Sequence, residues 1–173
     1  MAASTTLITV APTGAETDKA AAPALPVTLA ELVVTAKECE AAGAAVIHVH
    51  IRDDATRPTL DVGRLTDTVA ALREGTGLIV QLSTGGAVTD SFASRLAVLD
   101  AAPDACSLTC GTVNFGDDVF MNPWPFIKDL YQLTQERQVS PSSSCSTWVT
   151  SRPCTGCWPS SARRPAATCT ATW

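Results

Sequence analysis

Four times between Thr5 and Val139 a short apolar or β-branched run gives way to a stretch of helical period. That repetition restricts the fold more than any other feature of the chain. Thr5 to Val10 is a β-branched run, and Thr28-Leu29-Ala30-Glu31 has the form of a capping box opening a helix with Leu29, Leu32, Val33 and Ala36 on one face, closed by Gly43. Ala45 to Ile51 reads as a second strand. Leu65, Val69 and Leu72, spaced i, i+4, i+7, mark a helix ending near Gly75. Leu78 to Leu82 is a third strand, followed by a helix carrying Phe92, Leu96 and Leu99. A fourth strand covers Ala105 to Cys110, and a fourth helix from Pro123 carries Phe126, Leu130 and Leu133. Four βα units in succession predict a parallel sheet, either doubly wound or part of a (β/α)8 barrel.

The pattern stops at Val139. From Ser140 to Trp173 there are 8 Ser, 6 Thr, 4 Pro, 4 Cys and 3 Trp but no Leu, Ile, Phe, Asp, Glu or Lys, whereas all 17 acidic residues and both histidines lie upstream. No core can be built from such a composition, so residues 1–139 read as the folded part and 140–173 as a low-complexity tail without native structure. Cys39, Cys106 and Cys110 then read as ordinary reduced thiols. Trp148, Trp158 and Trp173 follow neither a helical nor a strand period.

Charge and hydropathy narrow the function classes. The net charge of −5 speaks against a nucleic-acid partner, which would need clustered Lys and Arg. No apolar run reaches the roughly 18 to 20 residues of a membrane span, and the first charged side chain is Glu16, unlike the basic start of a secretory signal. A soluble, cytoplasmic protein acting on small molecules is the expectation.

Polar residues favour the barrel over the doubly wound sheet. Glu16, His48 and His50, Ser83 and Thr84, and Ser107 and Thr109 fall at or just beyond the C-terminal ends of successive strands, where barrel enzymes assemble their sites. A doubly wound sheet would concentrate its chemistry at one switch point, and no G-x-G-x-x-G follows the first strand.

Among these, Ile47-His48-Val49-His50-Ile51-Arg52-Asp53 carries the sharpest signal. Strand alternation puts His48, His50 and Arg52 on one face, with imidazoles about 7 Å apart along the strand. Such a pair either chelates a divalent ion, with a carboxylate or thiolate completing the set, or consists of separately hydrogen-bonded histidines. Gln81-Leu82-Ser83-Thr84-Gly85-Gly86 ends a strand in hydroxyls and glycines, as an anion cradle or as a plain turn into a helix. Taken alone, Glu16 is a solvated loop carboxylate, and Ser107 and Thr109 are half-buried strand residues.

Together, Ala11-Pro12-Thr13-Gly14-Ala15-Glu16, His48 to Asp53, Gln81 to Ala87 and Cys110-Gly111-Thr112-Val113-Asn114-Phe115-Gly116 resemble, in order and spacing, the β-keto acid cleavage enzymes, which include the 3-keto-5-aminohexanoate cleavage enzyme of lysine fermentation. The resemblance covers residues 5 to 139. It implies a zinc-dependent (β/α)8 barrel, homo-oligomeric at full length, that converts a β-keto acid and acetyl-CoA to acetoacetate and a new CoA thioester. On the same ground His48 and His50 match the zinc-binding histidines, Ser83 and Gly86 the substrate-binding positions after the third strand, and Ser107 and Thr109 those on the fourth. Glu16 matches the site carboxylate. Ser107 stands where the family often has Thr. The family's third zinc ligand, a Glu, and the adjacent Asp and nearby Arg belong to the second half of the barrel, which has no counterpart here.

The tail acquires a meaning as codons. Ser140 onward can be written TCC CCG AGT TCG AGC TGT TCG ACC TGG GTC, and one G restored after the Val139 codon regroups it as GTC CCC GAG TTC GAG CTG TTC GAC CTG GGT, encoding V-P-E-F-E-L-F-D-L-G. That string is typical of the family's fifth strand, so residues 140–173 read as a frameshift product. Two alternatives stand beside this reading. One is another metal-dependent barrel such as an amidohydrolase-like hydrolase, whose H-x-H would sit on the first strand. The other is a zinc or interaction module built on the tail, where Cys154-Thr155-Gly156-Cys157 is a single C-x-x-C.

Overall fold

The computed structural model describes residues 6–144. Thr5, the tryptophans of the tail and Cys154-Thr155-Gly156-Cys157 lie outside the described residues. In chain order the elements are β1 (Thr9–Val10), α1 (Leu29–Ala41), β2 (Val46–Val49), β3 (Ile51–Arg52), β4 (Pro58–Thr59), α2 (Val62–Gly75), β5 (Ile79–Leu82) and α3 (Phe92–Ala97), which runs into a 3-10 turn at Val98–Ala101. There follow β6 (Ala105–Thr109), β7 (Val113–Phe115), β8 (Asp118–Phe120), α4 (Trp124–Arg137) and β9 (Ser140–Ser144).

Local chemistry explains where the helices start. The Thr28 hydroxyl accepts from the Glu31 amide at 3.2 Å while the Glu31 carboxylate accepts from the Thr28 amide at 3.0 Å, so the capping box forms as the sequence predicts. At α2 the Asp61 carboxylate accepts from the Arg64 amide, and at α3 the Ser91 hydroxyl accepts from Ser94. Leu65, Val69 and Leu72 are buried along one face of α2. The third helix is shorter than its apolar spacing predicts, because the chain tightens to 3-10 at Val98. Leu99 is fully buried there, while Phe92 is exposed.

Strands β1, β2, β5, β6 and β9 make one parallel sheet in that order. Each new strand is added to the same edge after a helical crossover, with no reversal of the kind that creates a switch point, and the result is an arc of a (β/α)8 barrel. One face of the arc is apolar. Ile47, Val49, Val80 and Leu82 pack with Leu32, Ala36, Leu65, Val69 and Leu72, and a second cluster joins Cys106 and Leu108 to Phe126, Ile127, Leu130 and Val139. Alternation leaves His48, Gln81, Ser107 and Thr109 on the other face. Core and chemistry are thus separated by the period of the strand itself.

Several expectations change on folding: the first strand is only Thr9–Val10, with Leu7 and Ile8 exposed, and Leu29 of the expected α1 face is exposed. The second strand ends at Val49 rather than Ile51, since the backbone turns at His50 and Ile51–Arg52 pairs antiparallel with Pro58–Thr59. A further hairpin, β7 with β8, occupies what reads as loop between the fourth strand and helix. Finally, Ser140–Ser144 is a strand in register with Ala105–Thr109, so the first residues of the supposed tail take a fifth place in the sheet.

Candidate active site

Sheet register sets the centre of the site. His48 on β2 is the neighbour of Gln81 on β5, and the His48 Nδ1 atom lies 2.8 Å from the Gln81 amide oxygen. Because β2 stops at Val49, the two imidazoles close on each other instead of standing a strand repeat apart. Their ring centroids are 5.0 Å apart at 72°, and the two Nε2 atoms are separated by 3.1 Å. Thr13, on the loop after β1, accepts the His50 amide through its hydroxyl at 2.9 Å.

Burial keeps the pair uncharged. It pushes the His48 pKa down against the opposing bond to Gln81, and pushes that of His50 down to about 3, with the repulsion that a protonated His48 would exert and the Arg52 charge adding to the effect. Neutral imidazoles whose Nε2 atoms face each other suit a divalent metal. Two nitrogens each about 2.0–2.1 Å from one tetrahedral zinc ion would lie about 3.3 Å apart, close to the separation seen here, so the donor set fits zinc as two of its ligands. No third His, Cys, Asp or Glu joins the pair among the described residues.

Around the pair, His50, Ser83 and Gly86 line one cavity of about 10 Å³ together with Asp90. Ser83 is buried, and its hydroxyl accepts from the Gly85 amide at 3.2 Å. Ser107 accepts the Thr84 amide through its hydroxyl at 3.1 Å, and its carbonyl accepts from the Thr84 hydroxyl. Gly86 adopts φ +63° with the Asp90 carboxylate packed where a Cβ would stand, which only glycine permits. That carboxylate takes the Ala87 amide at 2.6 Å. The amides of Gly85 and Ala87 are therefore spent on the loop's own side chains and that of Thr84 on Ser107 of the neighbouring strand β6, so the loop is held by its own bonds and by the sheet. Thr109 sits half-buried at the end of β6, and Glu16 is exposed on the loop after β1.

Several residues around the site escape sequence reasoning. Arg52 does not stand beside the histidines on one continuous strand. It belongs to β3, is 5% exposed, and its guanidinium donates to the carbonyls of Thr13, Gly14 and Thr17, clamping the loop that carries Glu16. Arg95 is enclosed by Phe92, Phe120 and Phe126 and donates to the Thr84 and Met121 carbonyls and the Asn122 side chain, tying the Ser83–Gly86 loop to the β7–β8 hairpin. Gln81 carried a readable signal, since it shares a face and a strand level with His48. Nothing local marks Arg95.

A parallel sheet wound in one direction, with polar side chains gathered at the C-terminal ends of its strands, defines part of a barrel of the (β/α)8 class. Residues 5–149 match the family described as beta-keto acid cleavage enzyme, and the chain belongs to that family. It is 40% identical over 137 residues to the 3-keto-5-aminohexanoate cleavage enzyme of Fusobacterium nucleatum subsp. nucleatum, covering 78% of this chain and 50% of that protein. To the 3-oxoadipate:acetyl-CoA acetyltransferase of Cupriavidus necator it is 36% identical over 118 residues, covering 68% of this chain and 41% of that protein. The apo structure of ObcA superposes with a TM-score of 0.61 at 22% identity, over 70% of this chain and 30% of that one, a likeness of fold. The chain spans about half the length of the curated relatives it matches.

Proposed function

We propose that this chain is the first half of an acetyl-CoA-dependent β-keto acid cleavage enzyme, cytoplasmic and homo-oligomeric at full length, in which His48 and His50 hold a zinc ion. The observation that carries the reading is the convergence of two neutral imidazoles, Nε2 to Nε2, on the face of the sheet opposite its apolar core. Zinc held there would polarise the keto oxygen of a β-keto acid. The Ser83 and Thr109 hydroxyls and the backbone at Gly86 bind and orient the substrate, Ser107 keeps the Thr84 backbone in place beside them, and Glu16 presents its carboxylate from the loop clamped by Arg52. Acetoacetate and a new CoA thioester are the products. The position of the histidines on the second strand of the sheet, not the first, weighs against an amidohydrolase-like barrel.

The codon reading belongs to the same proposal. With the frame restored, position 143 becomes Phe and positions 142 and 144 become Glu. Register pairs position 143 with Leu108, on the core side, and positions 142 and 144 with Ser107 and Thr109, on the site side. The regrouped string therefore has the alternation that a fifth barrel strand needs, and residues 140–173 are the product of a lost base.

Expression of both forms tests the proposal. The 173-residue chain is expected to bind zinc weakly through His48 and His50 and to form no acetoacetate, since loss of one electrostatic element from such a site typically costs about 10²- to 10³-fold. The product of the gene with one base restored should consume a β-keto acid and acetyl-CoA with a turnover that requires His48, His50 and Glu16. A restored product that cleaves none of a broad panel of β-keto acids would refute the assignment, and so would stoichiometric zinc retained after both histidines are changed to Ala.

A further inference from the structure

We infer that Gln81 is a positioning residue that sets the tautomer of His48, and through it the direction of the hydrogen bond between the two histidines. The inference rests on the reading of His48 and His50 as a metal pair. An amide oxygen only accepts, so the 2.8 Å contact between His48 Nδ1 and Gln81 Oε1 requires the proton on Nδ1. In a neutral imidazole the second nitrogen is then a lone pair. His48 Nε2 therefore faces His50 as an acceptor, and the 3.1 Å contact is completed by a proton on His50 Nε2. The order of donation runs from His50 to His48 to Gln81.

Several features make this arrangement a preset one. Gln81 is buried on β5 at the register position of His48, so the two side chains leave the sheet side by side about 4.8 Å apart at the backbone. A carboxamide supplies the acceptor without bringing a charge beside two buried imidazoles. Its oxygen does for His48 what a carboxylate or carbonyl does behind many metal-bound histidines, fixing ring orientation and tautomer together. The two rings are consequently unequal. His48 already offers Nε2 as a lone pair, whereas His50 must move its proton from Nε2 to Nδ1 before both lone pairs can converge. That shift exchanges one neutral tautomer for the other, one N–H bond broken and one formed, with no net change of charge.

The chain contains only two histidines, which makes the experiment direct. Long-range ¹H–¹⁵N correlation spectra are recorded on chain labelled with ¹⁵N-histidine, purified without a histidine tag and freed of metal with a chelator, and the rings are assigned with a His48→Gln variant. The expected result is His48 protonated at Nδ1 and His50 at Nε2. In Gln81→Leu the His48 signal should move toward the Nε2-protonated form, while Gln81→Glu, which keeps an acceptor, should retain Nδ1–H. A His48 ring protonated at Nε2 in the unsubstituted chain would overturn the inference, as would an unchanged His48 tautomer in a folded Gln81→Leu chain. Should that variant not fold, the unsubstituted spectrum and Gln81→Glu still decide. Zinc added to the same sample reads the metal role separately: rings that ignore zinc remove that role and leave the tautomer assignment in place.

Discussion

Strands β5 and β9 flank the same strand, β6, and are held there by different forces. On β5, Val80 and Leu82 are fully buried in the apolar cluster beneath α2. On β9 the core-side residues are Pro141, level with Leu82 across Cys106, and Ser143, beside Leu108. Pro141 is only half-buried, and Ser143 is exposed where the layer calls for an apolar side chain. What keeps β9 in the sheet is its ladder, including the Ser140 amide on the Asp104 carbonyl at 3.0 Å and the Cys110 amide on the Ser144 carbonyl at 2.9 Å. A backbone bond contributes about 1 kcal/mol net, and a buried aliphatic side chain about 1.5–3 kcal/mol. A strand can therefore be placed by its neighbour's backbone while contributing little to the core.

The largest expected contrast comes from removing a core side chain. Leu82→Ala should destabilise the chain by about 2 to 5 kcal/mol, as cavity-forming changes in a packed layer do, and urea unfolding measures it. A loss under about 1 kcal/mol would mean that β5 too is held chiefly by its ladder. Val139 comes next. It is the last apolar side chain of the core before β9 and is buried against α4 and β6, so Val139→Ala should cost about 1–3 kcal/mol and speed amide exchange along β9 more than along β5. Equal acceleration in both strands would erase the distinction.

A gain is expected at the exposed position. Ser143→Phe would put an aromatic ring beside Leu108 and α4, where the restored frame also encodes Phe, and should stabilise the chain by about 1 kcal/mol. Destabilisation at this site would count against both the register and the codon reading. The smallest effect lies far from either strand. Lys19 and the amides of Thr28 and Val27 hold the Glu31 carboxyl down from its ordinary 4.5 to about 2, so its contribution to α1 is complete above about pH 4.5 and is lost as pH falls through about 2. Exchange at the first turn of α1 should rise across that window, and in Glu31→Gln it should not. If β9 responded in the same window, its support would not be the ladder alone.

How much of this was legible beforehand depends on how far apart the partners lie in the chain. The Thr28–Glu31 box, the Leu65, Val69, Leu72 face and the His48–Val49–His50 alternation involve residues within a turn or two of each other, and local period reveals them. The match to the cleavage-enzyme family likewise rests on short motifs whose order survives in one dimension. The exposed β9 is the instructive miss, because composition describes what side chains can bury and says nothing of a backbone edge waiting for a partner.

By itself, then, the amino-acid sequence determined the four βα units, the faces on which α2 and α4 pack and the strand that ends at the histidine pair, all consequences of periods of two and 3.6 residues. Tertiary structure alone decided that the second strand breaks at His50 so that two imidazoles meet, that Gln81 stands behind His48, and that Arg52 reaches back to the carbonyls of Thr13, Gly14 and Thr17. It also decided that Arg95 is shut among three phenylalanines and that a run of serines pairs with β6. Each of these joins groups on different elements, and which group meets which is set by the register and curl of the sheet, quantities that exist only once the strands have paired.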